Sequence, residues 1–274
     1  GAALVRQVLG ERLEYLLDDA RIDIVVTEPG VASQVAGPAR DLVLLIESSA
    51  SETLENLEST QFGLSPDHPA YLIYTSASTG APKGVLGLHR SIVNRVNWLA
   101  RYLGVGAQEV LCQKTSVGFV DHVAEIFQAL SAGVPLVIVS SSLLRSPPEL
   151  LLELDARRVT QLTLVPSLLK SVLTAAEGEQ ARWLKSIYSS GEALHLSGLD
   201  KFAGCFPQAR LFNIYGSTEM GADVTCQEVA VVNTALWAPI GKGIDNTQAY
   251  ILNADGQIAV SGAIGELHVG GVCL

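Results

Sequence analysis

Short apolar runs alternate along the chain with segments whose apolar residues recur at helical spacing. Runs such as Pro135–Val139 and Leu162–Val165 have the length of strands, and near-continuous hydrophobicity is typical of strands buried on both faces of a sheet. Between such runs, Arg90–Leu103 carries its apolar residues on one predicted helix face. The alternation predicts an α/β fold with mostly parallel sheets. Further strands are predicted at 23–27, 42–46, 71–74, 110–113 and 211–214, and further helices at 12–20, 120–127, 148–155 and 166–176.

The pattern changes after Trp237. Strand-like segments at Tyr250–Leu252 and Glu266–Val269 flank the turn signal Asn253–Gly256, and no helix-sized segment follows. We therefore predict two sheet-and-helix subdomains and then the start of a β-barrel subdomain. The predicted bounds are 1–103, which includes a candidate phosphate loop at 75–84, then 104–236 and 237–274.

Composition and charge exclude several classes of protein. The chain has 274 residues, of which 48% are hydrophobic, as expected of a packed globular protein. It has 18 basic and 28 acidic residues, a balance that argues against a nucleic-acid partner. Apolar runs stay too short to span a membrane, so no membrane partner is expected. The four cysteines show no C-x-x-C spacing, which favours the reduced thiols of a cytoplasmic protein.

The segment Tyr74–Gly84 (YTSASTGAPKG) has the composition of a phosphate-binding loop. Its glycines permit close backbone approach, its hydroxyl groups can donate hydrogen bonds, and Lys83 can neutralise negative charge. It follows a predicted strand and precedes a predicted helix. It lacks the spacing of a Walker A loop, and an ordinary Ser/Thr/Gly turn is the alternative on composition alone.

This segment resembles the signature Y-T-S-G-S/T-T-G-x-P-K-G of the adenylate-forming superfamily, with Ala77 in place of the first glycine. That superfamily contains acyl-CoA synthetases, luciferases and the adenylation domains of peptide synthetases. Three further motifs follow in the family order. Ser190–Leu194 (SGEAL) resembles G-G-E-x-L, Asn213–Glu219 (NIYGSTE) resembles N-x-Y-G-P-T-E, and Gly265–Gly271 (GELHVGG) resembles G-E-L-x-I-x-G. Four motifs in order are far more specific than any one of them.

The resemblance implies an AMP-forming acid ligase that uses ATP and Mg²⁺. Such an enzyme joins a carboxylic acid to AMP and releases pyrophosphate, before transfer to a thiol of coenzyme A or of carrier-protein phosphopantetheine. Because two anions must meet, catalysis depends mainly on positioning and charge neutralisation. The family's ribose-binding aspartate, its hinge and the lysine of its C-terminal domain would lie beyond Leu274. We therefore expect this sequence to be a piece of the large domain.

The resemblance also implies roles for individual residues. Thr218 would bind the α-phosphate and Glu219 would hold Mg²⁺, a cation that prefers carboxylate and phosphate oxygens. With Lys83 they form the expected catalytic set, although Thr218 and Glu219 also fit a helix cap. The triphosphate would be bound by Thr75, Ser76, Ser78, Thr79, Gly80 and Lys83. The adenine would be lined by Gly191, Glu192, Ala193, Asn213, Tyr215 and Gly216, with Tyr215 stacked on it.

The segment Phe119–Phe127 (FVDHVAEIF) resembles the motif F-D-x-S-V-W-E of amino-acid adenylation domains, whose aspartate binds the substrate's α-ammonium. Val120 occupies that position and Asp121 follows one residue later. An α-amino acid should therefore fit poorly, whereas a β-amino acid places its ammonium about 1.5 Å further out. We expect Asp121 and Asp223 to pair with that ammonium, since an unpaired buried charge is costly. The expected pocket comprises Val120, Asp121, Ala124, Thr163, Tyr188, Ser190, Ile214, Ala222 and Asp223.

This pocket pattern resembles that of the β-alanine-activating group, so β-alanine is the expected acid. Asp121 could instead be an ordinary first-turn helix acid, and Asp223 an ordinary surface acid. For the whole chain, one alternative is a fatty or aryl acyl-CoA ligase, whose pocket should lack acidic residues. Another is a degenerate nucleotide-binding module without activity, which the substitution at Ala77 suggests.

Overall fold

The computed structural model of the chain divides into two compact units. One unit comprises Gly1–Ser65 with Tyr74–Gly84, and the other comprises Pro66–Ile73 with Val85–Leu274. The predicted subdomain bounds after residues 103 and 236 stay predictions. The structure describes residues 2–4, 11–27, 42–45, 59–75, 81–230 and 236–274.

The described part of the first unit contains a parallel three-stranded sheet. Its order is β1 (Ala2–Leu4), β2 (Ile24–Thr27) and β3 (Leu42–Leu45). Helix α1 (Glu11–Asp19) connects β1 to β2, as a parallel pairing requires. Leu13 and Leu17 lie one turn apart on α1 and pack against Val25 of β2.

Between Lys83 and Ser217, strands and helices alternate as the sequence predicts, and strands follow without a further α-helix among the described residues. Most of the predicted elements are observed with bounds that differ by two residues or fewer, whereas five elements from Pro69 onward have no predicted counterpart: Lys83–Leu88, Ser186–Ser189, Phe202–Cys205, Ala222–Glu228 and Lys242–Gly243. The elements are β4 (Pro69–Thr75), β5 (Lys83–Leu88), α2 (His89–Leu103), β6 (Leu111–Gln113), α3 (Asp121–Ala132), β7 (Leu136–Ile138), α4 (Pro147–Ala156), β8 (Gln161–Leu164), α5 (Pro166–Ala175), β9 (Ser186–Ser189), α6 (Phe202–Cys205), β10 (Arg210–Ser217), β11 (Ala222–Glu228), β12 (Lys242–Gly243), β13 (Thr247–Leu252) and β14 (Glu266–Gly271).

The largest sheet of the described residues has the order β12-β11-β10-β9-β8, in which β8, β9 and β10 are parallel. Side chains alternate between its faces along each strand. Leu162, Ile187 and Leu211 share one face and pack against leucines of α4 and α5. Tyr188 and Phe212 belong to the opposite face, which packs against α2 and α3. This second face forms the floor of the site described below.

The predicted order of strand, phosphate loop and helix is observed, but one strand that the sequence does not predict lies between the loop and α2. Strand β5 intervenes, and it forms a two-stranded sheet with β4. Gly87 of β5 lies against the ring of Tyr71, where an added Cβ would be 1.9 Å from Cζ. A glycine at position 87 therefore permits the close approach of β4 and β5. The apolar periodicity of the neighbouring α2 gives no signal for this strand pair.

The C-terminal hairpin pairs β13 with β14 in antiparallel register, and both predicted tail strands lie within these bounds. The segment that precedes the hairpin is bound to α2. Asn94 Nδ2 donates to the carbonyl of Asp245 at 2.8 Å, and Asn246 Nδ2 donates to Asn94 Oδ1 at 2.8 Å. None of the helices in the described ranges combines the length and the apolar character needed to cross a membrane.

Candidate functional site

A cleft lies where α2 and α3 meet strands β8, β9 and β10 of the largest described sheet. It encloses about 330 Å³, including its open mouth. Every predicted pocket position lines it except Val120 and Ala222. The lining residues are Arg95, Leu99, Asp121, Ala124, Glu125, Gln128, Thr163, Tyr188, Ser190, Ile214 and Asp223.

The floor of the cleft is formed by residues that the strand register places side by side on β8, β9 and β10. Thr163 of β8 lies beside Tyr188 of β9, which in turn lies beside Phe212 of β10. Ile214 follows two residues after Phe212 and therefore points to the same face. The rings of Tyr188 and Phe212 stack with centroids 5.7 Å apart. The cleft thus has a packed, pre-formed floor.

Arg95 binds both of the predicted substrate-binding carboxylates. Its Nε donates to Asp223 Oδ2 at 2.5 Å, and its Nη2 donates to Asp121 Oδ1 at 2.6 Å. Its Nη1 donates to the carbonyl of Val120 at 3.4 Å. The side chains of Arg95 and Asp223 are 7% and 2% exposed, whereas that of Asp121 is 22% exposed. We call Arg95, Asp121 and Asp223 the charged trio.

Asp121 and Asp223, the carboxylates expected to pair with a substrate ammonium, already share a cation within the chain. A guanidinium already binds one oxygen of each carboxylate. Asp121 is the first residue of α3, as the helix-acid alternative also requires. Asp223 is buried, so the surface-acid alternative for it is wrong.

Sequence reasoning missed Arg95, although a signal was present. Arg95 follows Ile92 by three residues and precedes Leu99 by four, so it lies within the apolar stripe of α2. A charged residue in such a stripe needs a buried partner of opposite charge.

Burial and the neighbouring charges shift the ionisation of the trio. Burial raises the pKa of Asp223 to about 6, while Arg95 opposes this rise and Asp121 adds to it. For Arg95, burial disfavours the charged form, but the carboxylates of Asp223 and Asp121 outweigh it and raise the pKa. When both carboxylates are ionised, the trio carries two negative charges and one positive charge. One negative charge is left without a partner.

Glu125 also lines the cleft, but its charge is already satisfied. Its carboxylate accepts hydrogen bonds from the backbone N–H groups of Lys114 and Thr115 at 3.1 and 2.9 Å, and from Thr115 Oγ1 at 2.8 Å. The ammonium of Lys114 lies 3.8 Å away and balances its charge. Glu125 therefore holds the segment before α3 in place.

Two polar residues of the cleft lining, Gln128 and Tyr188, are held by Gln161. Gln161 Oε1 accepts hydrogen bonds from Gln128 Nε2 at 3.2 Å and from the hydroxyl of Tyr188 at 3.3 Å. Burial raises the pKa of Tyr188, so its hydroxyl stays a neutral donor. The amide and hydroxyl groups of this part of the cleft can form hydrogen bonds with a polar ligand.

Val120 and Ala222 depart from the expected pocket. Both pack with Ile73 in a separate apolar cluster. Ala222 also has a left-handed φ of 85°, an uncommon conformation for a residue with a side chain. It ends the turn between β10 and β11 and directly precedes Asp223. Its role is therefore to position Asp223 through the backbone.

The predicted adenine motifs lie at the ends of β9 and β10. Asn213 is buried, and its Nδ2 donates to the carbonyl of Pro239 at 2.9 Å. Tyr215 is 38% exposed, which leaves part of its ring free for stacking. Glu192 instead accepts hydrogen bonds from the backbone N–H and hydroxyl of Ser167 at 3.0 Å each, at the start of α5. Gly191 has a φ of 87°, and Gly191 and Ala193 are exposed.

Thr218 and Glu219 lie in a single 3-10 turn between β10 and β11. Glu219 is exposed and makes no hydrogen bond or ion pair within the part of the chain that the structure describes. A free carboxylate fits a Mg²⁺ ion whose other ligands are phosphate oxygens and water. The described ranges contain no group of three or more His, Cys, Asp and Glu residues that could hold a metal unaided.

The phosphate loop belongs to the first unit. Thr75 Oγ1 donates to the carbonyl of Lys83 at 3.4 Å, and the side chain of Lys83 is exposed. Tyr74 donates its hydroxyl hydrogen to Asp19 Oδ2 at 2.6 Å, which attaches the start of the loop to α1. The remaining predicted phosphate-binding residues lie outside the described residues: Ser76, Ser78, Thr79 and Gly80.

Comparison with protein families gives the class of the chain. The model of the AMP-binding enzyme family matches residues 4–274. The chain therefore belongs to the AMP-binding enzymes, and its α/β fold is that of the adenylation domains of nonribosomal peptide synthetases.

Individual relatives are similar over almost the whole chain. Vanchrobactin synthetase VabF of Vibrio anguillarum is 34% identical over 271 residues, which cover 95% of this chain and 10% of VabF. The beta-alanyl-bioamine nonribosomal peptide synthetase ebony of Drosophila melanogaster is 33% identical over 280 residues, which cover 96% of this chain and 32% of ebony. The solved structure of the nonribosomal peptide synthetase FmoA3 in its AMPPNP-bound form has a TM-score of 0.85 and 26% identity. It covers 99% of this chain, which spans 29% of FmoA3.

Proposed function

We propose that the natural full-length protein activates a small β-amino acid, with β-alanine as the best candidate, to its acyl-adenylate. The substrate's carboxylate oxygen attacks the α-phosphorus of ATP. A new O–P bond forms, the bond from the α-phosphorus to the bridging oxygen breaks, and pyrophosphate leaves. The observation that carries this proposal is the charged trio in the cleft, in which Arg95 and Asp223 are buried and Asp121 is partly exposed.

The trio supports an ammonium-bearing acid because it has an uncompensated negative charge. Arg95 uses Oδ1 of Asp121 and Oδ2 of Asp223. The other oxygen of each carboxylate receives no hydrogen bond from the described residues. A substrate ammonium, with three N–H donors, complements such acceptors.

The position of Asp121 favours a β-ammonium over an α-ammonium. The residue before it, Val120, has no charge and packs in an apolar cluster. The carboxylate of Asp121 therefore lies one residue later in the sequence than the ammonium-binding aspartate of domains that activate α-amino acids. The similarity to ebony, a beta-alanyl-bioamine nonribosomal peptide synthetase, agrees with this choice.

ATP and Mg²⁺ are the proposed co-reactants. Lys83 and the hydroxyl groups of the loop at 75–84 would bind phosphate oxygens, and Thr218 would bind the α-phosphate. The exposed carboxylate of Glu219 would hold Mg²⁺, which supplies positive charge to the phosphate chain. Tyr215 would stack on the adenine.

A thiol is the proposed acceptor of the activated acid, either on coenzyme A or on a carrier protein's phosphopantetheine. The four cysteines of the chain are all unpaired, which suits a reaction in a reducing compartment such as the cytoplasm. A fatty or aryl acid is a poorer substrate candidate, because Arg95, Gln128 and Asp223 would face its hydrocarbon part.

Acid-dependent exchange of labelled pyrophosphate into ATP tests the proposal on the natural full-length protein. We expect β-alanine to support exchange far better than propionate, which lacks the ammonium, or alanine, whose ammonium is on the α-carbon. Equal exchange with propionate or alanine would reject the β-amino-acid assignment. An absence of exchange with every acid tried would reject adenylation itself.

A further inference from the structure

We propose that Arg95 is a specificity-determining residue that sets the number of ammonium groups the cleft accepts. By cancelling the charge of one of the two carboxylates, it leaves one negative charge, and the cleft therefore selects acids with one ammonium over acids with none or two. This inference rests on the proposed adenylation of an amino acid. It assigns the selection to the net charge of the trio rather than to either aspartate alone.

The geometry keeps Arg95 inside the site. Its guanidinium donates to Asp223, Asp121 and the carbonyl of Val120 at the same time, and its side chain is 7% exposed. A guanidinium does not lose its proton in proteins. The positive charge is therefore a fixed part of the cleft.

The other ionisable groups near the trio do not change the net charge of the cleft. Glu125 is balanced by Lys114, whose ammonium is 3.8 Å away. Burial raises the pKa values of Tyr71 and Cys226, so both stay neutral. The buried part of the cleft therefore has a net charge of minus one when both aspartates are ionised.

A buried net charge makes the ligand's own charge decisive. An acid with no ammonium leaves the negative charge unpaired, and a second ammonium adds a positive charge with no partner. Both arrangements lose much of their binding free energy, because an unpaired charge in a desolvated site is unfavourable. A ligand with one ammonium group balances the net charge of the trio.

Four variants of the natural full-length protein vary the net charge. Asp223→Asn leaves a net charge of zero, and Arg95→Met leaves minus two. The double variant R95M/D223N returns the net charge to minus one while removing both side chains from the trio. Arg95→Lys keeps the charge but loses the planar fork that reaches two carboxylates.

The readout is kcat/KM in pyrophosphate exchange with propionate, β-alanine and 2,4-diaminobutyrate, which carry none, one and two ammonium groups at pH 7. We expect Asp223→Asn to lower the preference for β-alanine over propionate about 30-fold. The double variant should regain at least about tenfold of that loss, and Arg95→Lys should stay within about tenfold of the wild type. Arg95→Met should shift preference toward 2,4-diaminobutyrate.

Failure of the inference and failure of the proposed function give different results. If the wild type shows no preference for β-alanine over propionate, the proposed function is wrong and the inference falls with it. If the wild type prefers β-alanine but R95M/D223N is no better than D223N, Arg95 only supports the fold and the inference alone is overturned. Melting temperatures check folding, and if Arg95→Met does not fold, the other three variants still decide the question.

Discussion

Gly216 lies directly against the backbone carbonyl of Ala222, so closely that an added Cβ would be 1.4 Å from the carbonyl oxygen. This contact closes the turn between β10 and β11 and fixes the backbone that precedes Asp223. Gly216→Ala must therefore push the two strands apart and move Asp223 away from Arg95. We expect a loss of about 3 kcal/mol or more in the free energy of unfolding, measured by chemical denaturation.

Gly204→Ala provides the matched control for that substitution. Gly204 lies in α6, and no atom lies within 4 Å of its added Cβ. The control should leave stability nearly unchanged or raise it slightly, since alanine favours helix. Equal stability of the two variants would show that the turn tolerates a side chain and would contradict the proposed support of Asp223.

Asp121→Asn should raise the KM for β-alanine while leaving the KM for ATP nearly unchanged. The substitution keeps the shape of the side chain but removes the charge that offsets the ammonium. Truncating one partner of a buried charge pair typically costs about 2–5 kcal/mol, and Asp121 is partly exposed, so we expect the lower end, about 30-fold. Asp255→Asn, in the exposed turn between β13 and β14, is the control and should change neither KM.

Lys83→Ala and Glu219→Ala should each weaken the use of MgATP. One removes a positive charge expected to face the phosphates, and the other removes the carboxylate expected to hold the metal. We expect each to lower kcat/KM for ATP at least about tenfold, with the Glu219→Ala defect partly relieved by raised Mg²⁺. Unchanged ATP dependence in both variants would exclude the nucleotide-site assignment.

The KM for β-alanine should rise as the pH falls through about 6. The pKa of Asp223 is raised to about 6 from its ordinary value of 3.8, so the carboxylate is charged above that pH and neutral below it. The groups that face it are Arg95 from α2, Asp121 from α3 and Cys226 on its own strand, and Asp223 is the one expected to titrate there. Protonation makes the trio neutral, while β-alanine itself keeps both of its charges.

A series of KM measurements between pH 5 and 8 checks this expectation. The increase should approach about tenfold per pH unit below 6, and the KM for ATP should not follow the same curve. Asp223→Asn should show a high KM for β-alanine at every pH in the range. A variant that keeps the wild-type pH dependence would assign the titration to another group.

The sequence alone predicts most of the parallel strands and most of the residues that line the cleft. In β8, for example, Leu162 and Leu164 are 2% and 0% exposed and pack in the core beneath α4 and α5. The motif around Asp121 indicates which residues of the chain line the pocket. A periodic apolar pattern alone does not identify them.

The same local reasoning missed β11 and Arg95 for one reason. Strand β11 contains Asp223 and Thr225, polar residues that read as loop although both are buried. The partner that makes Asp223 compatible with burial, Arg95, lies 128 residues away along the chain. The charge of Arg95 does not fit the apolar face of α2, and the charge of Asp223 does not fit a buried strand. The contact between Arg95 and Asp223 explains why both are buried.

The charged trio also restricts the order in which mutations can retune the substrate preference of this cleft. If a carboxylate is lost first, the remaining aspartate and Arg95 form a neutral pair that is stable in a buried site. If Arg95 is lost first, two buried carboxylates lose their shared cation, and the protein must tolerate that repulsion before any second mutation relieves it. Evolutionary or engineered routes toward uncharged acids should therefore begin at Asp121 or Asp223, with substitution of Arg95 following only later.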